Sequence, residues 1–122
     1  KYGVIFGDLI DETNNCYRVT NMVEKPDSHD LIEFVGDRVD LNKEPTFMGI
    51  IGRYILTQDI FDILKKIKSG KSGEIQLTDA LLTQAKQGKV IAYKFNGKRF
   101  DCGTIKGYLE ASNYLAIKKE II

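Results

Sequence analysis

Two short blocks of this chain combine residue types that could do chemistry. In Glu24-Lys25-Pro26 a carboxylate and an ammonium stand side by side where an extended run ends, and the proline stiffens the exit. Adjacent side chains on a strand point in opposite directions. In a pocket the carboxylate can accept hydrogen bonds from sugar-type hydroxyls, while the ammonium meets a phosphate as a mobile point charge. On an open surface the same two charges are simply solvated, and the residues alone leave both readings open. In Asp101-Cys102-Gly103-Thr104 the carboxylate follows a short extended run and precedes a helix. It is either part of a capping loop, with Gly103 supplying backbone freedom and Thr104 the cap, or a hard oxygen ligand suited to a magnesium ion shared with phosphates.

Other candidates are weaker. Gly70-Lys71-Ser72 invites a phosphate-loop reading, but the position where that loop needs its first glycine is Lys65, and the segment follows a helix rather than a strand. It reads as a helix stop. The cluster Lys65, Lys66, Lys68 and Lys71 reads as a solvated helix end, with cations near the negative end of the dipole. His29 is the only histidine and lies in a polar stretch, and its spacing from Cys16 and Cys102 supports no zinc site.

These blocks must be held by elements the pattern outlines. Tyr2 to Phe6 is an aromatic and β-branched run that reads as a strand, Asp11 to Asn15 as a polar turn, and Cys16 to Glu24 as an unevenly alternating segment that pairs with Leu9 and Ile10 or with the first strand. Asp27 to Pro45 is long for a loop of a compact domain and holds one apolar island, Leu31 to Val35. Phe47 to Leu56 is nearly continuously apolar and predicts a central strand covered on both faces. Thr57 can cap a helix that buries Ile60, Ile63, Leu64 and Ile67. A second helix is expected from about Gln76 to Gln87, burying Leu77, Leu81 and Ala85, with Gly88 as its C-terminal cap. Val90 to Phe95 reads as a strand, Asn96-Gly97 as a hairpin-type turn, and Arg99 to Cys102 as a short return. A last helix starts near Thr104, its stripe formed by Ile105, Tyr108, Leu109, Ser112 and Leu115 and fading towards Lys119. The expected fold is α/β, a mixed sheet flanked by helices.

Composition bounds the rest. The 122 residues are 43% apolar, enough for one modest core. Eighteen basic residues face seventeen acidic ones, for a net charge of +1, without the basic excess or stripe of a nucleic-acid binder. No apolar run approaches the length of a membrane span. Two cysteines without a CxxC spacing read as free thiols in a reducing, cytoplasmic setting. The chain opens on Lys-Tyr-Gly-Val-Ile-Phe, already strand-like and without an initiating Met, so it reads as beginning in mid-protein.

Five blocks, in this order, resemble the bacterial UTP–glucose-1-phosphate uridylyltransferases of the sugar-phosphate nucleotidyltransferase superfamily. They are Tyr2-Gly3-Val4, Met22-Val23-Glu24-Lys25-Pro26, Ile51-Gly52-Arg53-Tyr54-Ile55-Leu56, Gly73-Glu74-Ile75-Gln76-Leu77-Thr78-Asp79-Ala80, and Phe100-Asp101-Cys102-Gly103 followed by Gly107-Tyr108. The resemblance covers nearly the whole chain. It implies a partial Rossmann-like nucleotide-diphospho-sugar transferase fold, with residues 1–122 as the C-terminal, sugar-phosphate-binding portion and the nucleotide-binding portion outside the chain. It further implies UTP and glucose 1-phosphate as substrates, Mg2+ as cofactor and a homo-oligomer. Carried over by position, Glu24 would bind glucose hydroxyls, Lys25 the sugar-linked phosphate and Gly3 the sugar through its backbone, while Asp101 would be one of two carboxylates on the magnesium. The chain departs from the family pattern in a longer loop after Pro26 and in Thr46-Phe47-Met48-Gly49, where relatives often carry Ser-Asn-Leu-Ala. The alternatives are a relative using dTTP or another hexose 1-phosphate, and a non-catalytic regulatory or assembly domain that kept the fold.

Overall fold

The computed structural model describes residues 2–30, 47–69 and 73–122. Strands β1 (Val4–Asp11), β2 (Cys16–Val23), β3 (Phe47–Gly49) and β4 (Ile91–Tyr93) form one sheet in the order β3-β1-β2-β4, and every described pairing is antiparallel. Helices α1 (Ile60–Lys66), α2 (Leu77–Lys86) and α3 (Ile105–Lys118) complete the α/β architecture that the sequence pattern predicts.

The β1–β2 hairpin is the frame. Asp11 closes its turn by accepting hydrogen bonds from the backbone N–H of Asn14 (3.1 Å) and from Asn14 Nδ2 (2.7 Å), and Asn15 takes φ 51°, a conformation asparagine tolerates. The uneven alternation of β2 has a physical cause in its register. Phe6 faces Asn21 and Gly7 faces Val19, so Thr20 is an extra residue, a bulge. The bulge brings Val19 and Met22, three positions apart, into the same buried cluster. With Ile5, Ile60, Ala80, Leu81 and Ala85 they make the core. Ile60 is 1% exposed and anchors α1, while Ile63, Leu64 and Ile67 pack against the cluster as the helical spacing predicts.

Helix α2 begins and ends close to its expected bounds. Gly88 N–H donates to Ala85 O (2.8 Å) and Lys89 N–H to Gln84 O (3.1 Å), the paired bonds of a Schellman ending. Thr57 does not cap α1 directly. Asp59 is the N-cap residue, and the Thr57 hydroxyl donates to the Asp59 carboxylate. Gln84, 5% exposed, donates to Thr57 Oγ1 (3.2 Å) and Asp59 Oδ2 (3.1 Å), tying α1 to α2. Lys65 and Lys66 lie exposed in the last turn of α1, as a solvated helix end should.

Three expectations need correction. The apolar run from Phe47 to Leu56 is not a central strand. It forms a three-residue strand at the sheet edge, and Ile50 adds one bond to Gly3 O (2.8 Å). Gly52 then takes φ 74°, which breaks the extended path, and Ile55 is fully exposed. Beyond β4, no return strand forms among the described residues. The segment is drawn elsewhere, because Arg99 binds Tyr2 and Phe100 packs on Tyr114 with ring centroids 5.3 Å apart. The stripe of α3 is also not buried. Ile105, Tyr108, Leu109 and Leu115 are exposed, and the helix buries only Gly107 and Ala111. The loop island 31–35, the glycine-rich helix stop at 70–72 and position 46 lie outside the described residues.

Candidate functional site

The two sequence blocks are brought to either side of one short segment, residues 2–3. On one side stands Gly3, which is buried. A Cβ there would lie 3.0 Å from Glu24 Oε2 and 2.9 Å from Ile50 Cδ1, the ends of two flexible side chains, so a larger residue would push the glutamate from this position. Glu24 follows directly on β2 and is half-buried. Its Oε2 accepts a 2.6 Å hydrogen bond from the hydroxyl of Thr78, in the first turn of α2. That length is in the range of charge-assisted O–H···O⁻ bonds. Tyr54 belongs to the same neighbourhood. Burial, and then the negative charge of Glu24, push its phenol above the ordinary tyrosine value.

Lys25 is exposed, makes no ion pair among the described residues, and holds φ at 44° immediately before Pro26. A left-handed conformation costs a non-glycine residue about 1–2 kcal/mol. Backbone strain of this kind concentrates at functional positions. Glu24 is thus packed against Gly3 and Thr78, while Lys25 stands solvated beside it.

Tyr2, on the other side, reaches Asp101. The Tyr2 hydroxyl donates to Oδ2 (2.8 Å), and Gly103 N–H donates to Oδ1 (3.2 Å). The backbone oxygen of Asp101 accepts from Thr104 N–H (3.3 Å) and Thr104 Oγ1 (3.2 Å), and Thr104 in turn caps α3 by accepting from Gly107 N–H (3.1 Å). A Cβ at residue 107 would collide with the Asp101 carbonyl, so glycine is required there for the loop to close onto the helix. Arg99 stacks over the Tyr2 ring (4.2 Å to the centroid) and donates to its hydroxyl (3.1 Å). The capping reading of this block holds: the loop caps the helix, and its hydrogen bonds orient the Asp101 carboxylate.

Asp101 has the donor type that magnesium prefers, yet no group of three or more His, Cys, Asp or Glu able to hold a metal occurs among the described residues. These residues offer one oxygen-bearing side chain towards a magnesium ion, not a site. His29 is exposed, and Cys16 and Cys102 are free thiols. An open apolar hollow of about 720 Å³ lies along the sheet, lined by Ile5, Val19, Met22, Met48 and Tyr54 among others, and Glu24, Lys25 and Asp101 do not line it. Among the described residues, no helix is long and apolar enough to cross a membrane.

Sequence reasoning singled out Gly3, Glu24, Lys25 and Asp101 but missed Tyr2, Thr78 and Tyr54 as neighbours of Asp101 and Glu24, and Arg99 as the group that holds Tyr2. Tyr2, Thr78 and Tyr54 sit inside the blocks that carry the resemblance, and that was the available signal. Their side-chain partners are up to 99 positions away, which no spacing rule reaches.

This combination of fold and motif order is that of a nucleotidyl transferase, and the chain belongs to that family, whose sequence pattern matches residues 1–118. Within it the chain is similar to a UTP–glucose-1-phosphate uridylyltransferase of Pseudomonas aeruginosa, at 50% identity over 114 residues, covering 93% of this chain and 36% of that protein. The crystal structure of a UDP-glucose pyrophosphorylase complexed with UDP-glucose matches it with a TM-score of 0.72 at 47% identity, over 97% of this chain and 39% of that one. A UTP-bound UGPase from Acinetobacter baumannii matches with a TM-score of 0.65 at 27% identity, over 96% and 35%. The chain thus spans little more than a third of the length of these relatives.

Proposed function

We propose that this chain is the sugar-phosphate-binding portion of an enzyme that transfers a uridylyl group from UTP to glucose 1-phosphate, giving UDP-glucose and pyrophosphate. The observation that carries the reading is the packing of Glu24 against Gly3 and Thr78, with Lys25 beside it in a strained backbone conformation. In this reading Glu24 accepts hydrogen bonds from glucose hydroxyls, the backbone of Gly3 borders the sugar, and Lys25 meets the phosphate. An oxygen of that phosphate attacks the α-phosphorus of UTP, the bond to the β-phosphate oxygen breaks, and pyrophosphate leaves. No covalent intermediate on the protein is needed, so these residues contribute by orientation and charge placement. Asp101 would be one of the ligands of a magnesium ion, which when bound would neutralise phosphate charge. The protein's own part is to keep that carboxylate fixed through Tyr2 and Gly103. The exposed apolar residues of α3, with Ile121 and Ile122 beyond it, support a homo-oligomer.

The test is pyrophosphate release by the natural polypeptide that carries these residues, with glucose 1-phosphate and either UTP or dTTP supplied side by side. Preference for UTP supports the reading. Equal or better use of dTTP would move it to a thymidylyl relative, and no transfer with either would leave a non-catalytic domain of the same fold.

A further inference from the structure

The hydrogen bond between Thr78 and Glu24 joins residues 54 positions apart, from the exit of β2 to the first turn of α2. Thr78 is 3% exposed, and its single hydroxyl proton is committed to Glu24 Oε2. Gly3 closes in on the same oxygen. Oε1 of Glu24 accepts no hydrogen bond among the described residues. One oxygen of the carboxylate is thus held from the protein side and the other is left over. A carboxylate rotates broadly about its last torsion when nothing holds it. Fixing one oxygen removes that freedom before a ligand arrives.

We infer that Thr78 is a positioning residue for sugar recognition, holding Glu24 Oε2 so that Oε1 is presented to a hydroxyl of the hexose. This rests on the reading of Glu24 as a sugar-binding residue. A mere tether between β2 and α2 would need only a buried contact of the right shape. The hydroxyl on a nearly isosteric side chain separates the two roles. Valine keeps the shape and loses the donor, while serine keeps the donor and loses a methyl group.

The experiment compares Thr78→Val, Thr78→Ser, Glu24→Gln and the Thr78→Val/Glu24→Gln pair in the natural polypeptide, by steady-state kinetics with thermal unfolding as a check on the fold. Thr78→Val should raise the KM for glucose 1-phosphate about five- to tenfold, less than the roughly ten- to hundredfold of a lost direct bond to a charged group because Thr78 acts only through Glu24, with kcat and the KM for UTP within about twofold of wild type. Thr78→Ser should stay within about twofold throughout, and Thr78→Val should add nothing in the Glu24→Gln background. The inference is overturned if Val leaves the sugar-phosphate KM unchanged, if Ser loses as much as Val, or if the two losses add. If Val folds poorly, Thr78→Ala against Thr78→Ser carries the same comparison. An unchanged KM in Glu24→Gln would instead remove the sugar-binding reading of Glu24 itself, a result distinct from failure of Thr78 alone.

Discussion

The hydroxyl of Tyr2 donates a 2.8 Å hydrogen bond to Oδ2 of Asp101, tying the first described residue to the loop that opens the last helix. Because Gly3 follows immediately and packs on Glu24, this bond sets how the carboxylate block stands relative to the glutamate block. Tyr2→Phe keeps the ring under Arg99 and removes only the hydroxyl. The bond is partly solvent-exposed, so the loss of stability should be at the low end of about 0.5–1.5 kcal/mol by urea unfolding. Asp101→Asn should cost little more in stability but abolish most transfer in the natural polypeptide. A Tyr2→Phe variant as inactive as Asp101→Asn would show that the hydroxyl does more than hold the carboxylate.

Lys25 gives a sharper test of substrate assignment. Replacing it with alanine removes a charge proposed to meet the sugar-linked phosphate, a contact of about 1.5–3 kcal/mol, which corresponds to roughly ten- to hundredfold in affinity. The KM for glucose 1-phosphate should rise by that factor, while the KM for UTP changes by less than about threefold. Equal losses for both substrates would contradict the assignment.

How far the site was legible beforehand is seen in these same residues. Glu24, Lys25 and Asp101 stood out because charged residues beside Pro26 and Gly103 are local features. The core was legible where periodicity was local too, as for Ile60, Ile63, Leu64 and Ile67. Val19 and Met22 looked irregular until the bulge at Thr20 explained them. The run from Phe47 to Leu56 misled, since apolar residues mark a strand's partners only if the backbone stays extended, and Gly52 turns it away. The hold on Glu24 by Thr78 and on Asp101 by Tyr2 depends on tertiary placement, which the local pattern does not encode.

Tyr54 offers a spectroscopic reading of the glutamate side. Burial and the Glu24 charge both disfavour its phenolate, so the folded chain keeps the Tyr54 proton more tightly than the unfolded chain does. The associated stabilisation is fully present below about pH 10, the unfolded value, and is lost as pH rises through the folded value. In an ultraviolet titration, the component removed by Tyr54→Phe should have its midpoint above 10. Glu24→Gln should lower that midpoint without restoring it fully, because burial remains. An unmoved midpoint in Glu24→Gln would separate the two residues.

At the acid end, Asp59 carries the expectation. Hydrogen bonds from Thr57 and then Gln84 hold its carboxyl below the ordinary aspartate value. A depressed folded value means the stabilisation is present above the unfolded value of about 3.9 and disappears as pH falls through the folded one. Melting temperature measured from pH 5 down to pH 2 should therefore fall less steeply in Asp59→Asn than in wild type. Gln84→Leu should flatten the same limb in part, since it removes one of the two donors. Parallel curves for all three proteins would show that this link between α1 and α2 does not report on Asp59.

The last expectation concerns the 122 residues taken by themselves. Uridylyl transfer needs the nucleotide held, the sugar phosphate held, and phosphate charge neutralised between them. In the proposed reading the described residues meet the second requirement through Glu24, Lys25 and Gly3. They account for the third only through Asp101, and magnesium demands near-octahedral oxygen coordination and gives up water reluctantly, so one carboxylate is a weak claim on it. The relatives that carry the reaction in their names are much longer, and the matched portion is 36% of one of them. The isolated 122 residues should bind glucose 1-phosphate no more tightly than about millimolar, near −4 kcal/mol, because the Glu24 and Lys25 contacts are local to one strand exit. They should release no measurable pyrophosphate from UTP and glucose 1-phosphate with magnesium. Calorimetry and a coupled pyrophosphate assay on the same sequence-verified sample check both statements. Turnover at ordinary enzyme rates, about 1–1000 per second, would mean that a nucleotide site exists within these residues after all.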